Sequence, residues 1–344
     1  MIRVAIDAMG GDHAPDEIVR GAVAAVTANR DLMALLVGRE EQLERCLHEL
    51  NCSRDRLRLV PAEDVISNDD NPGLAVRNKR GASMITALEL VRSGQAEAAL
   101  SAGNTGALMT AGVLWLGRLP GVSRPALLAL FSRFCGEPVV VLDVGANMDA
   151  RPEQMLQYAY MGRIYAGKLL GRSNPRVALL NVGDEQNKGN SQVRKAYRLL
   201  ERHVPGFDGN IEGTEVFSRP VDVIICDGFV GNVLLKTSEG LSRGILNFLK
   251  EGAASGPRLQ LGAALFKPVL EDLRCKMDVR DYGGAPLLGV NGVCIKCHGS
   301  SRARTIEMAL RRQVYPFVCQ NLVGLFKQAL LEIAPKLKKE GLDG

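Results

Sequence analysis

Six short stretches of the chain gather glycines, amides, hydroxyls and a few charges where chemistry could be done. The first is Asp7-Ala8-Met9-Gly10-Gly11-Asp12. The pair Gly10 and Gly11 lets the backbone turn sharply and approach a ligand closely. The same stretch also reads as a tight turn, with Asp12 capping a helix that starts at Asp12-His13-Ala14-Pro15. The second is Ser101-Ala102-Gly103-Asn104-Thr105-Gly106. Small side chains there leave backbone amides uncovered where a helix begins, the usual setting for an anion. Ser101, Gly103, Asn104, Thr105 and Gly106, with Gly10 and Gly11, are therefore the candidate phosphate-binding residues. The third is Asp143-Val144-Gly145-Ala146-Asn147, and the fourth is the polar run Asn181–Asn190, with Lys188 as its one cation. The fifth is Cys226–Asn232. The sixth is Tyr282–Gly289, followed by Lys296 and His298-Gly299-Ser300-Ser301.

Together these stretches offer many neutral donors and few carboxylates or histidines. That donor set suits a small, multiply charged oxyanion held by amides. It does not suit a metal cage, so neither a metal nor another cofactor is expected.

The elements that must position these residues are legible in the apolar pattern. Strands are predicted at Ile2–Ile6, Ala34–Val37, Ala98–Leu100, Leu127–Phe131, Val139–Leu142, Val177–Leu180 and Val223–Cys226. Helices are predicted near 15–29, 40–50, 79–93, 104–117, 152–170 and 189–203. Alternation of strand and helix implies parallel pairing through right-handed crossovers. Uniformly apolar strands such as Val139-Val140-Val141-Leu142 suit a sheet covered on both faces. The fold class expected is thus an α/β/α sandwich with a largely parallel sheet, one domain over residues 1–344.

A helical hairpin is expected to project from it over 240–277, broken at Gly252–Pro257. Leu259, Ala263, Phe266, Leu270, Leu273 and Met277 line one face of its second helix, with Pro268 as a possible kink. That face reads either as packed in the fold or a subunit contact, or as a membrane-surface contact flanked by Arg258, Lys267, Arg274 and Lys276. A long helix from Ser300 to Leu337, broken near Pro316, ends the chain.

Composition narrows the function classes. Hydrophobic residues are 46% and charged residues 24%, as in an ordinary globular protein. Lys plus Arg number 43 against 38 for Asp plus Glu, and aromatics are 5%, so no nucleic-acid platform is expected. The opening Met-Ile-Arg-Val-Ala-Ile-Asp reads as a strand, not a secretion signal, and no apolar window is long enough to cross a membrane. The eight cysteines are scattered and expected as thiols of a reducing compartment.

The common ligand loops of α/β proteins are missing. No two glycines are spaced Gly-x-Gly, so the dinucleotide fingerprint is absent. The phosphate loop Gly-x-x-x-x-Gly-Lys-Ser/Thr and the Gly-x-Ser-x-Gly elbow are absent too. Cys294-Ile295-Lys296-Cys297-His298 matches the haem-attachment pattern. Its alternation with Val293 and Ile295 in a strand argues for packing instead.

The six stretches, in this order over essentially the whole chain, resemble the phosphate acyltransferase family, the acyl-carrier-protein:phosphate transacylases. The opening Asp7–Pro15 and the block Leu180–Asn190 carry the resemblance most specifically. It implies a fold related to isopropylmalate dehydrogenase and phosphotransacetylase, a homodimer, and a place at the start of phospholipid synthesis. The partners implied are acyl-acyl carrier protein, inorganic phosphate and a downstream membrane glycerol-3-phosphate acyltransferase. The location implied is cytoplasmic, at the inner face of the cell membrane.

On that footing Lys188 is the candidate to neutralise phosphate or the developing oxyanion, with Asn190 and Asn104 donating to the same oxygens. Asp227 is expected to orient Lys188 or a substrate group, and His298 to protonate the leaving thiolate. His298 also reads as a capping residue. Leu259, Phe266 and Leu270 are the acyl- or membrane-facing candidates. Two other readings stand beside this one. A phosphotransacetylase-like enzyme using short acyl-CoA would show a compact polar pocket, and a non-enzymatic anion-binding scaffold would release no thiol.

Overall fold

The computed structural model describes residues 1–134, 137–271 and 283–339. Its strands are β1 (Ile2–Asp7), β2 (Leu32–Gly38), β3 (Leu57–Pro61), β4 (Ala98–Ser101), β5 (Ala126–Phe131), β6 (Val139–Leu142), β7 (Val177–Asn181), β8 (Phe207–Glu212), β9 (Val223–Ile225), β10 (Ala285–Leu288) and β11 (Val293–Lys296). They form one 11-stranded sheet in the order β3-β2-β1-β4-β11-β10-β5-β6-β9-β7-β8. Helices α1 (Asp16–Ala28), α2 (Glu40–Leu50), α3 (Pro72–Asn78), α4 (Ser83–Arg92), α5 (Thr105–Ala111), α6 (Pro152–Leu169) and α7 (Ser191–His203) connect successive strands.

Alternation along each strand explains the layering. Val140 and Leu142 of β6 belong to one buried core, while Val139 and Val141 belong to the other. Val4 and Ile6 of β1 face the first core and Ala5 the second. A sheet covered on both faces needs such uniformly apolar strands, and all four β6 residues are fully buried. Each buried Val or Leu side chain contributes roughly 1.5–3 kcal/mol. The mixed α/β class with a large, mostly parallel sheet is therefore as expected.

Three departures from the expected pattern have simple causes. β5 runs antiparallel to β6 and to β10, and β10 runs antiparallel to β11. The link from β5 to β6 spans only residues 132–138, too short for the crossover that parallel pairing needs. The edge strands β3 and β8 escaped notice because their half-exposed sequences, Leu-Arg-Leu-Val-Pro and Phe-Asp-Gly-Asn-Ile-Glu, lack a continuous apolar run. β10 lay hidden in the glycine-rich stretch.

Helix α8 (Gly228–Ala254) starts at the Asp227 cap, and α9 (Pro257–Leu265) folds back against it. Within α8 only Gly228 and Gly231 are buried: of its 27 residues, about 40 Å of helix, the first turns pack at the end of β6 and the rest run out from the sheet. α9 stops at Leu265 with Phe266 as its cap, and a helical turn resumes at Lys267 with Pro268 in its first turn, where a missing backbone N–H costs no hydrogen bond. Leu273 and Met277 lie outside the described residues. The C-terminal helical stretch is divided into Ala303–Met308, a π-helical turn Ala309–Val314, Tyr315–Cys319 and Leu322–Lys339. Its main break falls at Asn321, with φ 48°, rather than at Pro316.

Candidate active site

The carboxyl ends of β4, β6 and β11 and the start of α8 surround one cavity of about 450 Å³. Open α/β sheets bind ligands at this edge because the loops leaving parallel strands converge there. Thr105, Gly106, Asn232, Lys236, Glu239, Lys296 and His298 supply its polar lining. Met109, Leu127, Leu130, Val144, Met148 and Leu235 supply an apolar wall. A second hollow of about 570 Å³ beside α7 is lined by Gln186, Asn187, Arg198, Glu201 and Arg202. It offers no apolar wall and is lined by the loop after β7 and by α7 alone, so the first cavity, where several strands and α8 contribute, is the candidate site.

Strand register sets a row of polar residues at the floor. Asp7 of β1 pairs with Ser101 of β4, and Ser101 pairs with Lys296 of β11. Residues in register on parallel strands point to the same face. Ser101 Oγ donates to Asp7 Oδ2 at 2.6 Å, and Ser83 Oγ donates to Asp7 Oδ1 at 2.6 Å. Burial raises the Asp7 carboxyl above its usual range, against the pull of both hydroxyls and of Lys296. Lys296 Nζ donates to the carbonyls of Ala102, at 3.4 Å, and Cys297. Burial lowers its ammonium to about 8.

The wall from β6 is shaped by Asp143, whose carboxylate accepts the amides of Leu127, Gly145, Ala146 and Asn147. Burial still lifts this carboxyl to about 6, with those amides opposing the rise. Asp227 caps α8 by accepting the Val230 amide at 2.8 Å. That cap aims Asn232, Leu235 and Lys236, successive turns of the helix, into the cavity.

The expected residues divide into several groups. Thr105, Gly106 and His298 line the cavity. His298 Nδ1 accepts the Ser300 amide at 3.1 Å, which places the ring proton of the neutral form on Nε2. Ser101 and Gly103 sit beneath the lining, and the Gly103 amide is spent on Ser101 Oγ at 3.0 Å. Gly10 and Gly11 serve loop packing. A Cβ on Gly10 would meet Asp7 Oδ2 at 2.4 Å, and Gly11 has φ 111° with the Gly299 carbonyl close by.

Asn104 accepts the Ala107 amide as the cap of α5. Its amide group donates to the carbonyls of Ser67, Asn68 and Asp70, so its donors tie loops together. Asn190 likewise caps α7, accepting from Gln192 and Val193. Lys188 lies outside the cavity lining, exposed, 3.6 Å from Glu185. Its loop is braced by Arg219 on Asp184 and by Asn210 on the Asp184 and Glu185 carbonyls. Asp227 does not orient Lys188, because its carboxylate is engaged at the α8 terminus and Glu185 is the lysine's partner among the described residues. Cys226 is buried, its thiol donates to the Asp143 carbonyl, and burial pushes it well above its usual range, the opposite of an activated nucleophile. Cys294 and Cys297 are buried thiols raised to about 12.

Leu259 and Phe266 are 55% and 63% exposed on the described chain, and Leu270 is half-buried. No helix of the described residues is long and apolar enough to cross a membrane.

The family model of the fatty acid synthesis protein matches residues 2–323. A phosphate acyltransferase of Heliobacterium modesticaldum is 49% identical over 311 residues, 90% of this chain and 92% of that protein. One from Halothermothrix orenii is 43% identical over 331 residues, 96% of this chain and 98% of that protein. The chain belongs to the phosphate acyltransferase family. A phosphotransacetylase from Streptococcus pyogenes superposes with a TM-score of 0.62 at 14% identity, covering 93% of this chain and 94% of that one. At that identity the likeness is one of fold.

For a phosphate acyltransferase, sequence reading missed the side chains that depend on register or helix phase. Asp7 and Lys296 each stood inside a quoted stretch, but nothing local sets them on either side of Ser101. Lys236 and Glu239 follow Asn232 on α8 at helical spacing. Counting four and seven residues onward from Asn232 would have found them.

Proposed function

We propose that this enzyme transfers a fatty acyl group from acyl-acyl carrier protein to inorganic phosphate, yielding acyl phosphate for phospholipid synthesis. The observation that carries the reading is one cavity with an apolar wall beside a cationic, donor-rich floor. An acyl chain takes the wall, and the oxyanion takes the floor.

An oxygen of hydrogen phosphate attacks the thioester carbonyl carbon, and the tetrahedral oxyanion is met by the donors of Thr105 and Asn232. The C–S bond then breaks. The thiolate takes up the proton that hydrogen phosphate brought, relayed through His298 Nε2, and acyl phosphate leaves as the dianion. Positioning and charge stabilisation supply the catalysis. Lys188, exposed on the neighbouring loop, acts on the charge of the incoming donor, and Asn190 holds that loop to α7.

The protein works as a homodimer in the cytoplasm, at the inner face of the cell membrane. The exposed apolar residues of the hairpin make the peripheral contact, and acyl phosphate passes to a membrane glycerol-3-phosphate acyltransferase. The fold shared with a phosphotransacetylase favours short acyl-CoA as the second reading.

The test is direct. Purified protein is mixed with acyl-acyl carrier protein and phosphate, and acyl phosphate is trapped with hydroxylamine. Phosphate-dependent hydroxamate together with free thiol is the expected result. Product from short acyl-CoA alone transfers the assignment to the second reading, and no product from either donor ends both.

A further inference from the structure

Lys296 closes β11 at the cavity floor with 8% of its surface exposed. Its hydrogen-bond partners are two carbonyls, and no carboxylate lies within ion-pair reach of Nζ among the described residues. The nearby acid Asp7 has both oxygens engaged by Ser101 and Ser83. A buried ammonium held by neutral oxygens alone is destabilised, and it retains one N–H donor beyond those two carbonyls.

A second cation faces the same space. Lys236 enters from α8 and lines the cavity, paired at 3.0 Å with Glu239, which lines it too. The charges of Lys296 and Lys236 act on one another across it. Two ammoniums reaching one cavity from different elements, with Thr105 and His298 also in its lining, form a site for an anion carrying more than one charge.

We infer that Lys296 is the phosphate-binding cation of this enzyme, its ammonium touching inorganic phosphate at the cavity floor while Lys236 meets the same anion from α8. The assignment rests on the acyl-transfer reading for its reaction, and on the floor geometry for its ligand. Burial lowers the Lys296 ammonium to about 8, Asp7, Asp12 and Cys297 resist that shift, and Lys236 adds to it. The sign of the pH effect follows. The ammonium is charged below about pH 8 and neutral above it, so phosphate affinity falls as pH rises through that value. His298 also faces the floor.

The experiment measures inorganic phosphate binding by isothermal titration, and the Michaelis constants for phosphate and acyl donor, in wild type, Lys296→Met and Lys296→Arg. Lys296→Met is expected to raise the phosphate constant on the order of 30-fold, the scale of one charge-assisted hydrogen bond. The acyl-donor constant should move less than threefold. Lys296→Arg, which keeps its charge at all working pH, should bind phosphate within tenfold of wild type. It should also lose the weakening above pH 8, whereas the ionisation of phosphate itself is common to both proteins. A folded Lys296→Met with phosphate affinity within threefold of wild type overturns the assignment. An alkaline limb that survives in Lys296→Arg does the same, and decides the matter should Lys296→Met not fold. A wild type that binds phosphate through Lys296 but forms no acyl phosphate sinks the acyl-transfer reading and keeps the lysine. Acyl phosphate formation with Lys296-independent phosphate affinity does the reverse.

Discussion

A methyl group on Gly231 would lie 1.9 Å from the carbonyl oxygen of Asp143. The first turn of α8 therefore rests on the backbone that ends β6, with the Cys226 thiol donating to the same carbonyl at 3.4 Å. This contact sets where Asn232 and Lys236, one and five residues further along, enter the cavity.

Gly231→Ala should accordingly shift α8 or fail to fold well. Overpacking of this kind costs about 2–3 kcal/mol, and for a chain of this length the melting temperature is expected to fall by roughly 3–4 °C. Calorimetry of the purified variant checks this. A melting temperature equal to wild type would show that the α8–β6 contact yields without cost.

Asp143 should make stability depend on pH in the acid range. Its folded value of about 6 lies above the 3.8 of an unperturbed carboxyl, so the folded state holds the proton more tightly. The associated stability is fully present below about pH 4 and is lost as pH rises through 6, up to about 3 kcal/mol in all. Asp143→Asn should flatten that part of the profile while lowering stability overall, because its amide group cannot accept from Asn147. Thermal unfolding at half-unit steps from pH 4 to 7 reads both effects. An unchanged slope in the variant would assign the pH dependence to other groups.

Lys188 is expected to serve donor binding rather than folding. Exposed and 3.6 Å from Glu185, it contributes little to stability. Lys188→Ala should raise the Michaelis constant for acyl-acyl carrier protein by roughly three- to tenfold at low salt, with turnover and the melting temperature nearly unchanged. Lys188→Arg should recover most of that loss, since a solvated surface charge acts at a distance. A Michaelis constant equal to wild type at low salt would leave Lys188 an ordinary surface residue and shift attention to Lys236.

The hairpin face should bind anionic vesicles. Leu259→Glu with Phe266→Glu removes two exposed apolar side chains at no folding cost, given their exposure on the chain. Vesicle sedimentation is expected to fall to background while turnover on soluble donor persists. Should the variant turn monomeric instead, by ultracentrifugation, the face belongs to the subunit contact.

Much of the fold was legible because its signals are local. Val139–Leu142 announces a buried strand by composition alone, and the caps at Asn104, Asn190 and Asp227 mark helix starts within a few residues. The caps also account for an over-reading. An asparagine before a helix looks like an anion donor, yet Asn104 spends its side-chain N–H groups on the carbonyls of Ser67, Asn68 and Asp70.

Residue types and spacing by themselves determined the α/β class, the absence of the common nucleotide loops, and which loops carry polar residues. They did so because hydrophobic period and glycine placement act within a turn or a strand. Only the tertiary structure decided which of those loops meet. Strand order seats β11 between β4 and β10, and register aligns Asp7, Ser101 and Lys296 across three strands that are distant in sequence. The same order leaves Lys188 at the end of β7, toward the far edge of the sheet. Register and strand order arise from the packing of the whole sheet, so the lysine of the cavity floor could not be told from the lysine of the neighbouring loop until the chain was folded.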